Sequence, residues 1–126
     1  MASVNFTLST NVEAMYMNGS GLTGTGNSSA NTLITIGANT LVGGVGNDTF
    51  EFFAFSANGA TVADFDRSEG DVLVFSGFGT EAQGATFTQI GSTDQWQIHS
   101  GLDPTHNETI TFSNHAAPNA GDFFFV

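Results

Sequence analysis

Nine consecutive residues, Gly43-Gly44-Val45-Gly46-Asn47-Asp48-Thr49-Phe50-Glu51, carry the densest chemistry in the chain. They match the pattern G-G-x-G-x-D-x-U-x at every fixed position, U being a large apolar residue. Glycines 43, 44 and 46 permit the positive φ angles of a tight turn and let backbone carbonyls converge. With the Asp48 carboxylate beside them, the segment Gly43, Gly44, Val45, Asn47 and Asp48 reads as an all-oxygen nest for a hard cation, Ca²⁺. Further carboxylates follow at Asp64, Asp66, Glu69 and Asp71, with Arg67 among them. Asp64 and Asp66 lie sixteen and eighteen positions after Asp48, about one coil of a repeating structure. Asp64, Asp66 and Asp71 are therefore candidate ligands. In the plainer reading Asp64 and Asp71 tighten a loop and Arg67 pairs with one of them. Asn31 is a weaker candidate, because an amide oxygen ligates without charge.

Other chemistries find little support. His99, His106 and His115 lack metalloprotease spacing, and H-E-x-x-H is absent, although His106 and Glu108 share one face of a strand. No G-x-S-x-G elbow and no cysteine offers a nucleophile, and no glycine-rich loop ends in G-K-[ST]. No catalytic residue stands out, and a non-enzymatic role is expected.

The charge balance narrows the partners. Twelve acidic residues face one basic residue, for a net charge of −11. Nothing here neutralises phosphates, which argues against nucleic acid or an anionic membrane surface. The carboxylates repel one another unless cations are supplied. Without cysteine, the core is held by packing, hydrogen bonds and metal rather than disulfides. No apolar run approaches the ~18 residues of a membrane helix, so no membrane insertion is expected. Met1 to Val4 show no basic region leading into an apolar one, hence no amino-terminal signal peptide.

The elements that must position these groups are strands. Val4, Phe6 and Leu8, then Val12, Met15 and Met17, alternate around a Ser9-Thr10-Asn11 turn. Three segments then repeat, each closing on Asn/Asp-Thr-Leu/Phe, with the apolar residue at Leu33, Leu41 and Phe50. A turn followed by one inward apolar residue, repeated, predicts a parallel β-roll or β-helix. From residue 72 the strands lengthen. Ala85–Ile90 and Gln95–His99 predict a hairpin with Phe87 opposite Trp96 or Ile98, and Glu108–Phe112 predicts a further strand. The expected fold is all-β: short parallel coils over residues 1–56, then an antiparallel, sandwich-like cap over 57–126 that covers the open end of the stack.

Residues 12–52 resemble the calcium-binding RTX (haemolysin-type) repeat proteins of Gram-negative bacteria. The likeness rests on Gly26-Asn27 and Asn31-Thr32-Leu33 ahead of Gly43-Gly44-x-Gly46-Asn47-Asp48-Thr49, and Val62-Ala63-Asp64-Phe65 resembles a segment common after such arrays. Departures are Asn31 and Asn39, which stand where the pattern has aspartate. The carboxy-terminal Asp122-Phe123-Phe124-Phe125-Val126 resembles the signal of type I (ABC-transporter) secretion. The resemblance implies a secreted, calcium-stabilised carboxy-terminal module, with calcium ions and the type I secretion machinery as partners and folding completed outside the cell. The alternative is an extracellular carbohydrate-binding or adhesion module, with Trp96, Tyr16 and rows of Asn and Thr meeting a polysaccharide.

Overall fold

The computed structural model describes residues 5–126; Met1 to Val4, and with them the start of the expected first strand, lie outside the described residues. Twelve strands are seen among the described residues: β1 (Phe6–Thr7), β2 (Ala14–Asn18), β3 (Thr23–Thr25), β4 (Thr32–Ile36), β5 (Thr40–Val42), β6 (Thr49–Phe53), β7 (Thr61–Val62), β8 (Val72–Ser76), β9 (Thr86–Gln89), β10 (Gln95–His99), β11 (Asn107–Phe112) and β12 (Phe123–Phe125). The helical content described is three single 3-10 turns, at Arg67–Glu69, Glu81–Gln83 and Ala120–Asp122. The chain is all-β with parallel sheets.

Strands β1 to β8 alternate between two sheets. One is five-stranded, in the order β12-β8-β6-β4-β2; the other is seven-stranded, in the order β1-β3-β5-β7-β11-β10-β9. Every pair in the first sheet is parallel. Ala14 opposes Thr32, Thr32 opposes Thr49, and Thr49 opposes Val72. The chain therefore returns to the same place three times, by two coils of nearly equal length and then a longer one. The last return is the longest: Leu73 opposes Phe123, and across the other sheet Thr61 opposes Thr111. Antiparallel pairing is confined to β9-β10-β11, which extends the seven-stranded sheet, and both sheets run across residue 56.

Alternation of side chains explains the core. In β4 and β6 every second residue is buried, so Leu33, Phe50 and Phe52 point to the other sheet while Thr32, Ile34 and Glu51 point out. Leu33, Leu41 and Phe50, the recurring apolar residues, are fully buried in β4, β5 and β6 and thus alternate between the sheets. Phe75 sits at the centre of an aromatic cluster, its ring 4.7 Å from Phe87, 5.2 Å from Phe125 and 5.8 Å from Phe52. Such pairs each add about 0.5–1.5 kcal/mol beyond area burial. In the expected hairpin Phe87 opposes Ile98, and the Trp96 ring stacks on Phe87 at 4.9 Å.

Candidate functional site

The turn between β5 and β6 is fixed by glycine. Gly44 and Gly46 hold φ of 85° and 112°, which side chains resist. Gly43 is needed for space: a Cβ there would lie 2.5 Å from Asp48 Oδ2. This turn stacks on that of the preceding coil, so a Cβ on Gly44 would meet the Asn27 carbonyl oxygen at 2.8 Å and one on Gly46 the Ser29 oxygen at 3.0 Å.

A ladder of carboxylates and one amide runs across the stacked turns, each accepting from backbone N–H groups. Asp48 Oδ1 accepts from the Asn31 amide at 2.8 Å, and Asp71 Oδ1 from the Asp48 amide at 2.8 Å. Asp71 Oδ2 accepts from the Asp66 amide at 2.9 Å. Asp64 spans two glycines, its oxygens accepting from Gly43 and Gly44 at 2.7 Å each. Glu69 Oε2 accepts from Gly46 at 3.2 Å. Asn31 Oδ1 accepts from the Asn27 amide at 2.8 Å. Asp66 stands apart. It caps the Arg67–Glu69 turn, accepting from the Ser68 hydroxyl and amide, and these bonds hold its pKa below the usual value.

The structure thus gathers Gly43, Gly44, Asn31, Asp48, Asp64 and Asp71, with Asn47 close enough that a Cβ on Gly70 would meet its Nδ2 at 2.7 Å. Val45 is exposed on the turn, its side chain outside the cluster. Two expectations are corrected. The residue beside Asp48 in the next coil is Asp71, not Asp64 or Asp66, because the turn at Arg67–Glu69 lengthens that coil. Arg67 pairs with neither Asp64 nor Asp71; its Nε donates to Asp122 at 2.9 Å. Glu69 is not among the ligands expected from sequence, since nothing in its spacing sets it on the Gly46 amide.

Asp48 is the group out of balance. It is wholly buried, and its Oδ2 has no hydrogen-bond partner among the described residues. Burial, with the charges of Asp71, Asp64 and Glu69, pushes its pKa from 3.8 up to about 7 against the pull of the Asn31 amide. Burial likewise raises Asp71. Among the described residues no group of three or more His, Asp or Glu side chains is disposed to hold a metal unaided. An ion here would draw on Asp48 Oδ2 and on the unused lone pairs of the amide-bound carboxylates, each of which has about four acceptor positions. That donor set is all oxygen, which suits Ca²⁺.

A second buried carboxylate lies on the seven-stranded sheet. Glu108 accepts from the amides of Phe55, Ala57 and Asn58 at 2.9, 2.8 and 3.0 Å, and its Oε2 lies 2.9 Å from His106 Nε2. It closes the loop that carries Phe55, a non-glycine residue at φ 70° whose ring lies 4.2 Å from that of His106. The shared face of His106 and Glu108 thus serves a loop clasp. Trp96 is 8 % exposed and stacked within the core, so it presents no platform for a sugar; Tyr16 is 38 % exposed on β2. At the carboxy terminus, Asp122 meets Arg67, and Phe123 and Phe125 pack on the core from β12 while Phe124 and Val126 stay exposed.

No family model matches this chain, and neither a curated protein nor a solved structure does.

Proposed function

We propose that this chain is a calcium-stabilised module of a secreted RTX-like protein, a short β-roll whose carboxy-terminal strand doubles as a type I secretion signal. The observation that carries the reading is the buried, unpartnered Oδ2 of Asp48, which feels the charges of Asp71, Asp64 and Glu69 while the one basic side chain is engaged elsewhere. A divalent cation there supplies the positive charge that the stacked turns lack. The residues act by folding, not by catalysis: they hold two adjacent coils together when the carboxylates are neutralised and push them apart when they are not. The parallel returns from β4 to β6 and from β6 to β8, with turn residues Asn31, Asp48 and Asp71 in register, support the roll. Where Ca²⁺ is scarce the acidic turns repel and Asp122–Val126 stays undocked, available to an export machine; where Ca²⁺ is plentiful the last strand closes.

A site with a dissociation constant near ~10⁻⁴ M, common for extracellular modules, would add roughly 1.4 kcal/mol at millimolar Ca²⁺. The test is calorimetric titration of chelator-stripped protein with Ca²⁺, paired with thermal unfolding in Ca²⁺ and in chelator. Binding heat and a raised Tm are expected. Identical unfolding in both conditions would sink the reading.

A further inference from the structure

The turns that join the two sheets stack in two columns, one at each side of the roll, and the columns differ in chemistry. Residues 26–31, 43–48 and 63–71 lead from the seven-stranded sheet to the five-stranded one. They carry five acids, Asp48, Asp64, Asp66, Glu69 and Asp71, and one base. Residues 19–22, 37–39 and 54–60 lead back the other way and contain no charged residue.

Asn39 holds in the second column the place that Asp48 holds in the first, since each immediately precedes a strand opening on Thr-Leu or Thr-Phe. An amide does there what no carboxylate can. Asn39 Oδ1 accepts from the Leu22 amide at 2.9 Å, while its Nδ2 donates to the Gly19 carbonyl at 2.8 Å and to Thr35 Oγ1 at 3.0 Å. The Thr35 hydroxyl donates in turn to the Gly37 carbonyl at 3.1 Å. Turn 37–39 is thus tied to turn 19–22 with donors and acceptors matched. Turn 54–60 is tied to it by the Gly37 amide, which donates to the Ser56 carbonyl at 2.9 Å. Beyond it, Asn58 Oδ1 accepts from the Thr109 amide at 2.8 Å, and both oxygens of Glu108 are engaged by amides of residues 55, 57 and 58. The acidic column has no such balance. Asp48 Oδ2 is the one buried side-chain oxygen among the described residues that lacks a hydrogen-bond partner.

We propose that calcium governs one side of the roll only. The neutral column closes by its own hydrogen bonds, and the acidic column closes with the ion. The calcium-free molecule is therefore hinged along its Asn39 side and parted along its Asp48 side. This inference rests on the calcium reading and gives it a direction. The strands β4 and β6 between the columns are five residues each, about 16 Å long. That exceeds the screening length of about 8 Å at physiological salt, so repulsion among the acids is largely spent on their own side. Loss of the ion frees segments 43–48 and 63–71 while the two sheets stay joined through the opposite turns.

The test is residue-resolved amide hydrogen exchange of the full chain, in chelator and in millimolar Ca²⁺, each rate taken relative to that of an unstructured peptide. In chelator, the amides of Asn31, Asp48 and Asp66, which donate across the acidic column, should exchange at least about tenfold faster than those of Leu22, Ala57 and Thr109, which donate across the neutral one. Ca²⁺ should close that difference. Equal protection of the two columns in chelator, whether high or low, overturns the one-sided proposal. If titration with Ca²⁺ still gives binding heat, the calcium reading survives that result; without heat, both fall. Asn39→Asp provides a second measurement. It forfeits the two Nδ2 bonds and should lower the Tm equally in Ca²⁺ and in chelator, with no additional ion bound. An additional bound ion, or a larger calcium-dependent gain in Tm than the unsubstituted protein shows, makes the two sides equivalent and overturns the proposal. Should that variant not fold, exchange in the unsubstituted chain decides alone.

Discussion

Asp48 carries two demands that conflict without a cation. Its Oδ1 is used by the Asn31 amide, while its Oδ2 is buried and unpartnered beside other acids. An isosteric amide keeps the first role and removes the charge. Asp48→Asn is therefore expected to stabilise the calcium-free protein at neutral pH by roughly 1 kcal/mol and to abolish any gain from Ca²⁺. Denaturant unfolding of both proteins, in chelator and in Ca²⁺, checks the two signs together. The pH dependence follows from the same group. Its folded pKa, about 7, lies above 3.8, so the native state binds the proton more tightly. In chelator, stability should fall as pH rises from about 4 to about 7, and Asp71, raised by burial, adds in the same direction. Ca²⁺ should flatten that slope. Denaturant midpoints across this range, with and without Ca²⁺, decide it. Gly43 and Asp48 are legible in the sequence because their pattern is local. Glu69 and Glu108 are not, because each accepts from amides that only the folded chain brings near: Gly46 for the first, and Phe55, Ala57 and Asn58 for the second.

At the scale of elements, the two coils that carry β2 to β4 and β4 to β6 are readable from Leu33, Leu41 and Phe50, since the inward residue recurs with the turn chemistry. The longer coil from β6 to β8 is not. Its extra length is the Arg67–Glu69 turn, capped by Asp66 and ended by Gly70 at φ 87°. No apolar period marks such a turn, because it buries nothing. Gly70→Ala should cost about 1–2 kcal/mol, from the positive φ and from contact with the Asn47 side chain, read as a lowered Tm. The loop clasp makes a second prediction. Glu108→Ala strands three backbone amides, one of them fully buried, and should cost about 2–5 kcal/mol. Amide exchange at Phe55, Ala57 and Asn58 should accelerate before that of the core strands. The late strands are legible as strands by alternation, but the partners of β11 and β12 are not. They pair with β7 and β8, far back along the chain, and no local pattern encodes so distant a contact.

Over the whole molecule, charge and apolar surface are sorted by place. Apart from Glu51, outward on β6, the acids sit in turns or buried clasps, and the buried aromatic residues cluster between the sheets. Phe75 is at their centre, with Phe123 and Phe125 of the last strand at 6.2 and 5.2 Å. Removing residues 123–126 opens that cluster to water and should cost several kcal/mol, on the order of two Phe truncations at about 3 kcal/mol each. Loss of a cooperative thermal transition, with dye binding to exposed apolar surface, is the expected readout.

The position of β12 also sets an order in time. A ribosome releases this chain from its amino end, so β2, β4, β6 and β8 can line up while the partner of Leu73 and Phe75 has yet to be made. Residues 123–125 pair with β8 from far along the chain, and closing the loop that brings them there carries an entropic cost that the shorter coils do not. Until then one edge of the five-stranded sheet and the Phe75 ring stay uncovered, and the unfinished molecule remains pliable. Whatever needs the chain loose has the interval before residues 123–125 reach β8 in which to act.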